Sequence, residues 1–274
     1  MIITTLMTIL IPSGQLLYIV GESINFMNFI TIIIVHWNTP ELLKKLLILL
    51  KPEQNLGIIV VDNKSEKSVD WVKKDFPNIT LIKNSANQGY AGGCNSGVKK
   101  AKGNWLLFLN PDVLITNKQI FAMADQAEKN NLDAASPNPG SNNYQKTLPS
   151  WFSLLIEFTP LNKLYNFKNF ISLRTLFGGC LLIKNKVLKQ IGGWDERFFL
   201  WFEDSDLTKR LYDNNYRVGW LNIKVNHIGG ASFKRLGDKN KRKIFFTSMD
   251  IYAKKYFSIV GRLVVFLLKI KYLL

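Results

Sequence analysis

The sequence predicts an α/β fold in which a mostly parallel central sheet carries helices on both faces. Apolar, β-branched runs alternate with helix-like segments through the first half of the chain, and this alternation is typical of parallel strands joined by helices. Polar residues follow the predicted strands at 36–38, 62–63 and 110–112. Ligands bind beyond the carboxyl ends of the strands in such sheets, so this repeated placement indicates a binding site there.

The strands of the first half are predicted from short apolar runs, as expected for strands buried on both faces. They cover residues 29–35, 57–61, 79–82 and 105–109. Four helices are predicted between these strands and after them, the first from a cap followed by proline. They begin at Pro40 behind a Thr39 cap, around Trp71, near Asn95 after a glycine-rich segment, and at Asn117.

The second half of the chain is less regular. A strand is predicted over residues 175–183 with Gly178 and Gly179 inside it, because glycine in a strand indicates close approach of another backbone or a ligand. Residues 137–149 are rich in Asn, Pro, Gly and Ser and are predicted to form a loop. A helix over 204–214, a strand over 218–221 and an extended segment at 225–227 complete the pattern.

Composition limits the class of protein. The chain has 274 residues, of which 47% are hydrophobic, so we expect one large domain, alone or with appendages. Cys94 and Cys180 form no CxxC pair, and two cysteines cannot build a disulfide framework. A reducing cytoplasm is the simplest context for such a chain.

The formal net charge of +16 implies an anionic partner, which could be nucleic acid, a phosphorylated ligand or an anionic membrane face. The charge is uneven, because six basic residues are clustered within ten positions. This basic cluster comprises Lys234, Arg235, Lys239, Lys241, Arg242 and Lys243. The sequence shows no RNP or zinc pattern, and its basic residues are not interleaved with aromatics, so nucleic acid is not the expected partner.

Three parts of the chain are expected. Residues 1–27 form an apolar N-terminal extension without a charged side chain before Glu22. This extension is interpreted as a poorly packed segment, a weak membrane anchor or an early start codon, and the last is favoured because Met27 stands just before the first convincing strand. Residues 28–250 form the main domain, and residues 251–274 form the C-terminal tail.

The C-terminal tail combines lysines and arginine with a nearly continuous apolar sequence. Its uninterrupted apolar stretch, 263–268, is shorter than the roughly 20 residues that a spanning helix needs. The tail is therefore predicted to lie on an anionic leaflet as a basic amphipathic helix, which would place the protein peripherally at the inner face of the plasma membrane. The alternative is a helix that packs on the core and leaves its lysines in water.

An acidic run, residues 192–207, stands out in this basic chain. It contains the carboxylates Asp195, Glu196, Glu203, Asp204 and Asp206 among aromatic residues. Such a cluster repels itself unless a metal, a base role or a cationic partner compensates the charge. Glu203, Asp204 and Asp206 would also suit the first turn of a helix, where the dipole favours anions. Asp204 and Asp206 lie about 200° apart on a helix, so only one can point into a cleft and the other is expected to brace the structure.

Two segments are candidates for binding a nucleotide. Asp62 follows an apolar strand, where a carboxylate is a common handle for a ring N–H or a ribose hydroxyl; a turn formed with Asn63 is the alternative. Residues 87–97 are glycine-rich, which would let backbone N–H groups approach phosphate or ribose. This segment is neither GxGxxG nor a Walker A pattern, so NTP hydrolysis is not indicated.

Asp112 and His227 are candidate ligands for a divalent ion. Asp112 follows a strand and a rigid Asn-Pro turn, and a carboxylate beside a diphosphate can hold Mg²⁺ or Mn²⁺. His227 is one of only two histidines, and imidazole suits Mn²⁺ better than Mg²⁺. A lone histidine with a structural role is the alternative for His227.

Taken in order, these motifs resemble family 2 glycosyltransferases of the GT-A fold, and in particular the bacterial rhamnosyltransferase-like branch. The resemblance covers roughly residues 28–233 and rests on the order and spacing of short motifs. These are Val35-His36-Trp37-Asn38, Val60-Val61-Asp62-Asn63-Lys64-Ser65, the 87–95 segment, Asn110-Pro111-Asp112, Gly178-Gly179-Cys180-Leu181-Leu182-Ile183, the acidic run and His227.

The resemblance implies a role for each matching residue. Residues 28–115 would form the nucleotide-binding half and 116–250 the acceptor and catalytic half. Asp204 is implied as the catalytic base, with Glu203 and Asp206 beside it, and Asp112 and His227 as the metal ligands. The acceptor pocket would be bordered by Trp194, Asp195 and Glu196. The nucleotide-sugar site would comprise His36, Asn38, Asp62, Asn63, Asn87, Gly89, Asn95 and Asn110, with Asp62 on the uracil or thymine ring.

The implied activity is inverting transfer of a sugar, rhamnose from dTDP-rhamnose or a hexose from a UDP-sugar, to a cell-envelope glycan or lipid-linked acceptor. The cofactor would be Mn²⁺ or Mg²⁺. The first acid of the family's DxD site is replaced by Asn110, as is usual in this branch, and residues 1–26 have no counterpart in the family domain. The alternative is a nucleotide-sugar-binding protein that has lost catalysis.

Overall fold

The structure is a computed structural model that describes residues 7–10, 16–20, 23–27, 29–51, 53–138, 147–163, 173–228 and 237–273. Most of the predicted loop at 137–149, the residues directly after Ile228, and Lys234 and Arg235 of the basic cluster lie outside the described residues.

The N-terminal extension contains three strands, β1 (Met7–Leu10), β2 (Leu16–Val20) and β3 (Ser23–Met27). They pair antiparallel in the order β1-β2-β3. The sequence interpretation assigned no secondary structure here, because short apolar runs without alternation do not reveal pairing.

The main sheet has seven strands in the order β11-β9-β10-β7-β4-β5-β6. The strands are β4 (Ile30–His36), β5 (Leu56–Asp62), β6 (Thr80–Lys83), β7 (Trp105–Leu109), β9 (Ala134–Asn138), β10 (Cys180–Lys184) and β11 (Val218–Lys224). Two short strands, β8 (Val113–Leu114) and β12 (Asn226–His227), pair separately. Strand β10 runs antiparallel to both neighbours, whereas the other pairs in the main sheet are parallel, which confirms a mostly parallel sheet.

Helices cover both faces of this sheet, as predicted. They are α1 (Pro40–Leu49), α2 (Trp71–Asp75), α3 (Gly89–Val98), α4 (Asn117–Lys129), α5 (Trp151–Glu157), α6 (Asn185–Gln190), α7 (Glu203–Asp213), α8 (Asp238–Tyr256) and α9 (Ile259–Leu273), with a 3₁₀ turn at Pro160–Lys163. Strand β4 shows the two-sided burial, because Ile32 packs with α1 and α4 whereas Ile33 packs with α3 and α7.

The prediction that the glycine-rich segment becomes helical near Asn95 was wrong, since α3 begins at Gly89. The glycines serve close packing of this helix on β4. A Cβ at Gly93 would lie 2.6 Å from Val35 Cγ1, and one at Gly97 would lie 2.4 Å from Ile33 Cγ2. Tertiary contact therefore outweighs the poor helix propensity of glycine.

Two further predictions need correction. The predicted strand at 175–183 is shorter, because β10 begins only at Cys180. Strand β9 was missed, and its residues 137–138 fell in the predicted loop. A strand of five residues ending Ser-Pro-Asn has little sequence signal, and it is held here by parallel pairing with β11 and antiparallel pairing with β10.

The C-terminal tail divides between two helices, with the break at 257–258. Together with α5, these helices form a third apolar cluster that includes Phe246, Met249, Tyr252, Val265 and Leu268. The tail thus packs on the domain through one face, as the alternative interpretation expected. Within the described residues, none of the helices has the length and hydrophobicity that crossing a bilayer requires.

Candidate active site

A cleft of about 300 Å³ opens at the carboxyl ends of β4, β5 and β7. Of the predicted site residues, Asn63, Asn87, Gly89, Asn110 and Asp112 line it. The sequence interpretation missed the other lining residues. They are Val35, Trp37, Thr39, Leu42, Tyr90, Pro111, Phe199, Leu200, Asn240, Lys243 and Ile244.

His36 and Asp62 end adjacent parallel strands and face each other across 3.2 Å between Nδ1 and Oδ1. The Thr39 N–H donates to His36 Nε2 at 3.1 Å, so Nδ1 carries the proton of the imidazole. Thr39 is the N-cap residue of α1, as predicted, but its side chain forms no capping hydrogen bond. Its backbone N–H is held by His36 instead. Burial raises the pKa of Asp62, but hydrogen bonds from His36 and Ser65 outweigh it and hold the pKa below its ordinary value. The carboxylate is thus anionic at neutral pH.

Asn63 organises the start of α3. Its Nδ2 donates to Asn87 Oδ1 at 2.9 Å and to the Gly89 carbonyl at 2.8 Å. Its Oδ1 accepts from the Gln88 N–H at 3.1 Å. Side chains at the end of β5 therefore fix the backbone of the glycine-rich segment, which closes one wall of the cleft.

Asn38 and Asn95, which the sequence assigned to the nucleotide site, hold neighbouring loops and do not line the cleft. Asn38 has a φ of 54°, and its Oδ1 accepts from the Glu66 N–H at 2.8 Å. Asn95 Nδ2 donates to the Trp194 carbonyl at 2.9 Å and to Glu196 Oε1 at 2.8 Å. These asparagines position the walls of the site.

Asp112 and His227 meet as predicted, with 3.5 Å between Oδ2 and Nε2. The backbone fixes this meeting, because His227 pairs with Val113 and the Ile228 N–H donates to the Asp112 carbonyl at 2.9 Å. Asp112 Oδ1 is buried and accepts no hydrogen bond within the described part of the chain. A buried carboxylate oxygen without a donor, next to an imidazole, fits a divalent ion, and this donor pair suits Mn²⁺.

Within the described residues, the candidate metal site consists of Asp112 and His227. No group of three or more His, Cys, Asp or Glu side chains with suitable geometry occurs among the described residues. Catalytic Mg²⁺ and Mn²⁺ commonly take one or two protein ligands and complete their shell with substrate phosphates and water. The site therefore fits an ion that binds together with a phosphorylated ligand.

The acids at the start of α7 have different surroundings. Asp206 is fully buried and accepts from Arg210 at 2.8 Å, Lys255 at 2.5 Å and Tyr256 at 2.7 Å. Glu203 is only 8% exposed. Asp204 is half-buried, and its Oδ1 accepts from the Ser205 N–H at 2.7 Å. Asp206 thus braces the structure, as expected for one of the pair, and Asp204 keeps access to solvent.

Gly178 and Gly179 lie between Asp204 and the cleft-lining Asn110. A Cβ at Gly178 would come within 2.9 Å of the Asp204 Cβ, and one at Gly179 within 3.0 Å of Asn110 Nδ2. The Gly179 carbonyl also accepts from the Asn110 N–H at 2.9 Å. The absence of side chains at 178 and 179 lets Asp204 and Asn110 approach the same edge of the sheet.

The turn into α7 is strained. Trp201 and Phe202 both have a φ of 66°, a left-handed conformation that costs such residues of order 1–3 kcal/mol each. Phe199 and Leu200, which precede this turn, line the cleft. The backbone of Phe199 also lies close to α3, because a Cβ at Gly89 would lie 2.3 Å from the Phe199 carbonyl oxygen. Strain and close backbone contact occur together where the acidic run meets α3.

The residues assigned to an acceptor pocket have other surroundings. Trp194 is 2% exposed and packs edge-on against Phe108, with ring centroids 5.0 Å apart. Asp195 pairs with Arg197 at 2.6 Å and with Lys255 at 2.8 Å. The Arg197 bond, opposed by burial and assisted by Lys255, holds the pKa of Asp195 well below its usual range. Trp194 is a core residue, and Asp195 anchors the acidic run to α8.

Comparison with known proteins identifies the family. The family model "Glycosyl transferase family 2" matches residues 31–192, and the model "N-terminal domain of galactosyltransferase" matches residues 160–230. An N-acetylglucosaminyl-diphospho-decaprenol L-rhamnosyltransferase of Mycobacterium tuberculosis is 27% identical over 206 residues, which are 64% of this chain and 66% of that protein. The low-salt glycan biosynthesis hexosyltransferase Agl10 of Haloferax volcanii is 27% identical over 71% of this chain and 65% of its own length. The chain thus spans slightly less than two thirds of these relatives.

Solved structures share the fold at low sequence identity. The mannosyltransferase PcManGT from Pyrobaculum calidifontis, in complex with GDP-Man and Mn²⁺, matches with a TM-score of 0.59 and 14% identity over 89% of this chain and 70% of that one. The S. aureus TarS structure matches with a TM-score of 0.54 and 16% identity over 83% of this chain and 72% of that one. These matches confirm the predicted GT-A architecture.

Proposed function

The chain belongs to glycosyl transferase family 2, and on that premise we propose that it is an inverting glycosyltransferase. It moves rhamnose from dTDP-rhamnose, or a hexose from a UDP-sugar, onto a hydroxyl of a cell-envelope glycan or lipid-linked acceptor. The observation that carries the proposal is the cleft at the strand ends, where Asn63, Asn87, Asn110 and Asp112 converge and Asp204 lies beyond the 178–179 glycine pair.

The donor nucleotide binds between the ends of β4 and β5 and the start of α3. The anionic Asp62 lies directly before the cleft-lining Asn63 and is 6% exposed, and it accepts the ring N–H of uracil or thymine. His36, which is fully buried and does not line the cleft, bonds to that carboxylate. The Asn87 and Gly89 segment follows the ribose and diphosphate with its backbone, which the Asn63 side chain holds in place.

Asp112 and His227 would hold a divalent ion, Mn²⁺ or Mg²⁺, against the diphosphate. The support is the buried, donor-free Asp112 Oδ1 beside an imidazole. When bound, such an ion supplies positive charge near the phosphate oxygens of the leaving group.

Asp204 acts as the general base. It accepts the proton of the acceptor hydroxyl while the hydroxyl oxygen attacks the anomeric carbon, and the bond from that carbon to the nucleoside diphosphate breaks. One displacement inverts the anomeric centre, so one base suffices, whereas glycosidases need two carboxyl groups. The Asp204 carboxylate is half-buried at the start of α7, and its Oδ1 is oriented by the Ser205 N–H.

The test is a donor screen by nucleotide release with Mn²⁺ and a membrane extract as acceptor source. The donors are dTDP-rhamnose, UDP-glucose, UDP-galactose, UDP-N-acetylglucosamine and GDP-mannose. We expect release from one donor and a loss of about 10²–10⁴-fold in Asp204→Asn, the usual contribution of a positioned base. Asn keeps the Oδ1 acceptor for Ser205, so folding should be retained.

Asp213→Asn is the matched control, since the exposed Asp213 ends the same helix and pairs only with Lys209 among the described ion pairs. It should retain full activity. Saturable nucleotide binding without transfer from any donor, in wild type and variants alike, would favour the inactive binding protein. Absence of any nucleotide binding would overturn the proposal.

We further propose that α9 holds the enzyme peripherally on the inner face of the plasma membrane. Its outer face exposes Ile259, Val260, Leu263, Phe266, Leu267 and Ile270, at 39–84% exposure. Their spacing of three to four residues forms one apolar stripe. Arg262, Lys269 and Lys271 lie on the same helix, so the surface complements an anionic leaflet in both hydrophobicity and charge.

Liposome sedimentation tests this docking. Leu267→Asp should lower binding to vesicles containing anionic lipid, because it puts a carboxylate into the stripe. Ile48→Asp is the control, as Ile48 is an equally exposed apolar residue (61%) on α1. Equal binding by both variants and wild type would contradict membrane docking through α9.

A further inference from the structure

Helix α8 presents one face to the donor cleft. Asn240, Lys243 and Ile244 line the cleft, and their spacing of three and four residues places them on the same side of the helix. Their neighbour Arg242 is also exposed but does not line the cleft. Part of the basic cluster is therefore directed at the site, which its position in the sequence does not reveal.

The orientation of this face is fixed by the rest of α8. Phe246, Met249 and Tyr252 are buried in the cluster shared with α5 and α9. Ser248 Oγ donates to the Leu200 carbonyl at 2.7 Å, and Leu200 itself lines the cleft. Rotation of α8 away from the site would break these contacts, so Asn240 and Lys243 are held towards it.

The described lining of the cleft carries little charge. Of the lining residues within the described ranges, only Asp112 and Lys243 are charged. A donor diphosphate brings one negative charge on each phosphate, and cleavage adds a further charge to the terminal phosphate. A divalent ion at Asp112 leaves a single net positive charge there, which is too little to neutralise the diphosphate. The ammonium of Lys243, which lines the same cleft, would supply a further positive charge.

The ammonium of Lys243 has no anionic partner among the residues that the structure describes. It forms no ion pair within the described part of the chain. Its neighbour one turn earlier is Lys239, and like charges at this spacing destabilise a helix. An anionic ligand in the cleft would relieve that repulsion.

We propose that Lys243, with Asn240 beside it, binds the diphosphate of the nucleotide-sugar donor from the α8 side of the cleft. This inference rests on the proposed function and adds a binding residue to it. The ammonium and the Asn240 amide donate to phosphate oxygens within the cleft that Asp112 also lines. Because the leaving group gains charge on cleavage, the lysine stabilises the released nucleoside diphosphate more than the intact donor.

Isothermal titration calorimetry on the full chain tests the proposal. The probes are UDP, dTDP and GDP in buffer with Mn²⁺, followed by the nucleoside of the nucleotide that binds best. Lys243→Gln should weaken binding of the nucleoside diphosphate about tenfold or more, as expected for loss of a charge-assisted contact, and leave nucleoside binding within about twofold. Lys243→Arg should restore most of the affinity.

Arg242→Gln is the matched control, because it removes the same charge from the adjacent position and should leave both affinities unchanged. Equal diphosphate affinity in wild type and Lys243→Gln would overturn the proposal while leaving the glycosyltransferase assignment intact. A variant that loses liposome binding and keeps diphosphate affinity would overturn it in favour of a lipid-facing lysine. Wild type that binds none of the three nucleotides would overturn both.

Discussion

The Phe199 carbonyl accepts a 2.8 Å hydrogen bond from the Tyr90 N–H. This bond ties the acidic run to the first turn of α3, two segments that are more than a hundred residues apart in the chain. The Tyr90 hydroxyl extends the link by donating to the Gly178 carbonyl at 2.7 Å. Tyr90 thereby connects the α3 wall of the cleft with the glycine pair at 178–179, which lies next to Asp204.

This junction predicts that Gly89→Ala destabilises the protein severely. Gly89 has a φ of +73°, and an added Cβ would lie 2.3 Å from the Phe199 carbonyl oxygen, so the substitution adds a backbone clash to conformational strain. Gly192→Ala is the control, because Gly192 has a φ of +82° and nothing within 4 Å of the new Cβ. We expect Gly192→Ala to cost about 1–2 kcal/mol and Gly89→Ala clearly more. Denaturant unfolding measures both, and equal losses would contradict the clash.

The buried Asp206 predicts a large effect of Lys255→Met. Removing one partner of a buried ion pair typically costs about 3–5 kcal/mol. The cost should fall towards the lower end here, since Arg210 and Tyr256 remain bound to Asp206. Lys83→Met, which breaks an exposed pair with Asp70, should cost at most about 1 kcal/mol. Similar losses of unfolding free energy in the two variants would refute the bracing role of Lys255.

We expect the Asp195 carboxylate to make a pH-dependent contribution to the free energy of unfolding. Arg197 and Lys255 depress the pKa of this carboxyl in the folded state, so the folded form favours the carboxylate. Its contribution is complete above the unfolded pKa of about 3.9 and is lost as pH falls through the folded pKa. Asp195→Asn should therefore be less stable than wild type at pH 7, and the difference should narrow below about pH 4. Chemical denaturation across pH 2–7 measures this, and a constant difference would speak against the mechanism.

Leu267 and Leu268, which are adjacent on α9, should contribute very differently to the free energy of unfolding. Leu268 is 5% exposed and packs in the C-terminal cluster, whereas Leu267 is 56% exposed. Leu268→Ala should lower the unfolding free energy by about 2–5 kcal/mol, and Leu267→Ala by at most about 0.5 kcal/mol. Thermal unfolding of the two variants compares them directly. Equal effects would show that α9 does not pack on the domain as described.

Much of the architecture was predictable because local signals agree with the fold. The apolar run that became β4 and the proline signal at the start of α1 depend on side chains close in sequence, and the structure begins these elements at Ile30 and Pro40. The pairing of Asp112 with His227 was also anticipated, although the residues are far apart. Helix α3 was misplaced because its glycines are selected for contact with Ile33 and Val35, which no local rule records.

The family, the parallel sheet and the residues at the strand ends could be predicted without coordinates, because periodicity and the order of motifs can be read along the chain. The role of Asp206 emerges only from the tertiary structure, because only the packing of α8 shows this carboxylate bound to Lys255 and Tyr256. The tertiary structure likewise placed Trp194 in the core and Lys243 on the cleft. Burial and charge pairing depend on distant parts of the chain meeting in space, and a residue's neighbours in sequence do not contain that information.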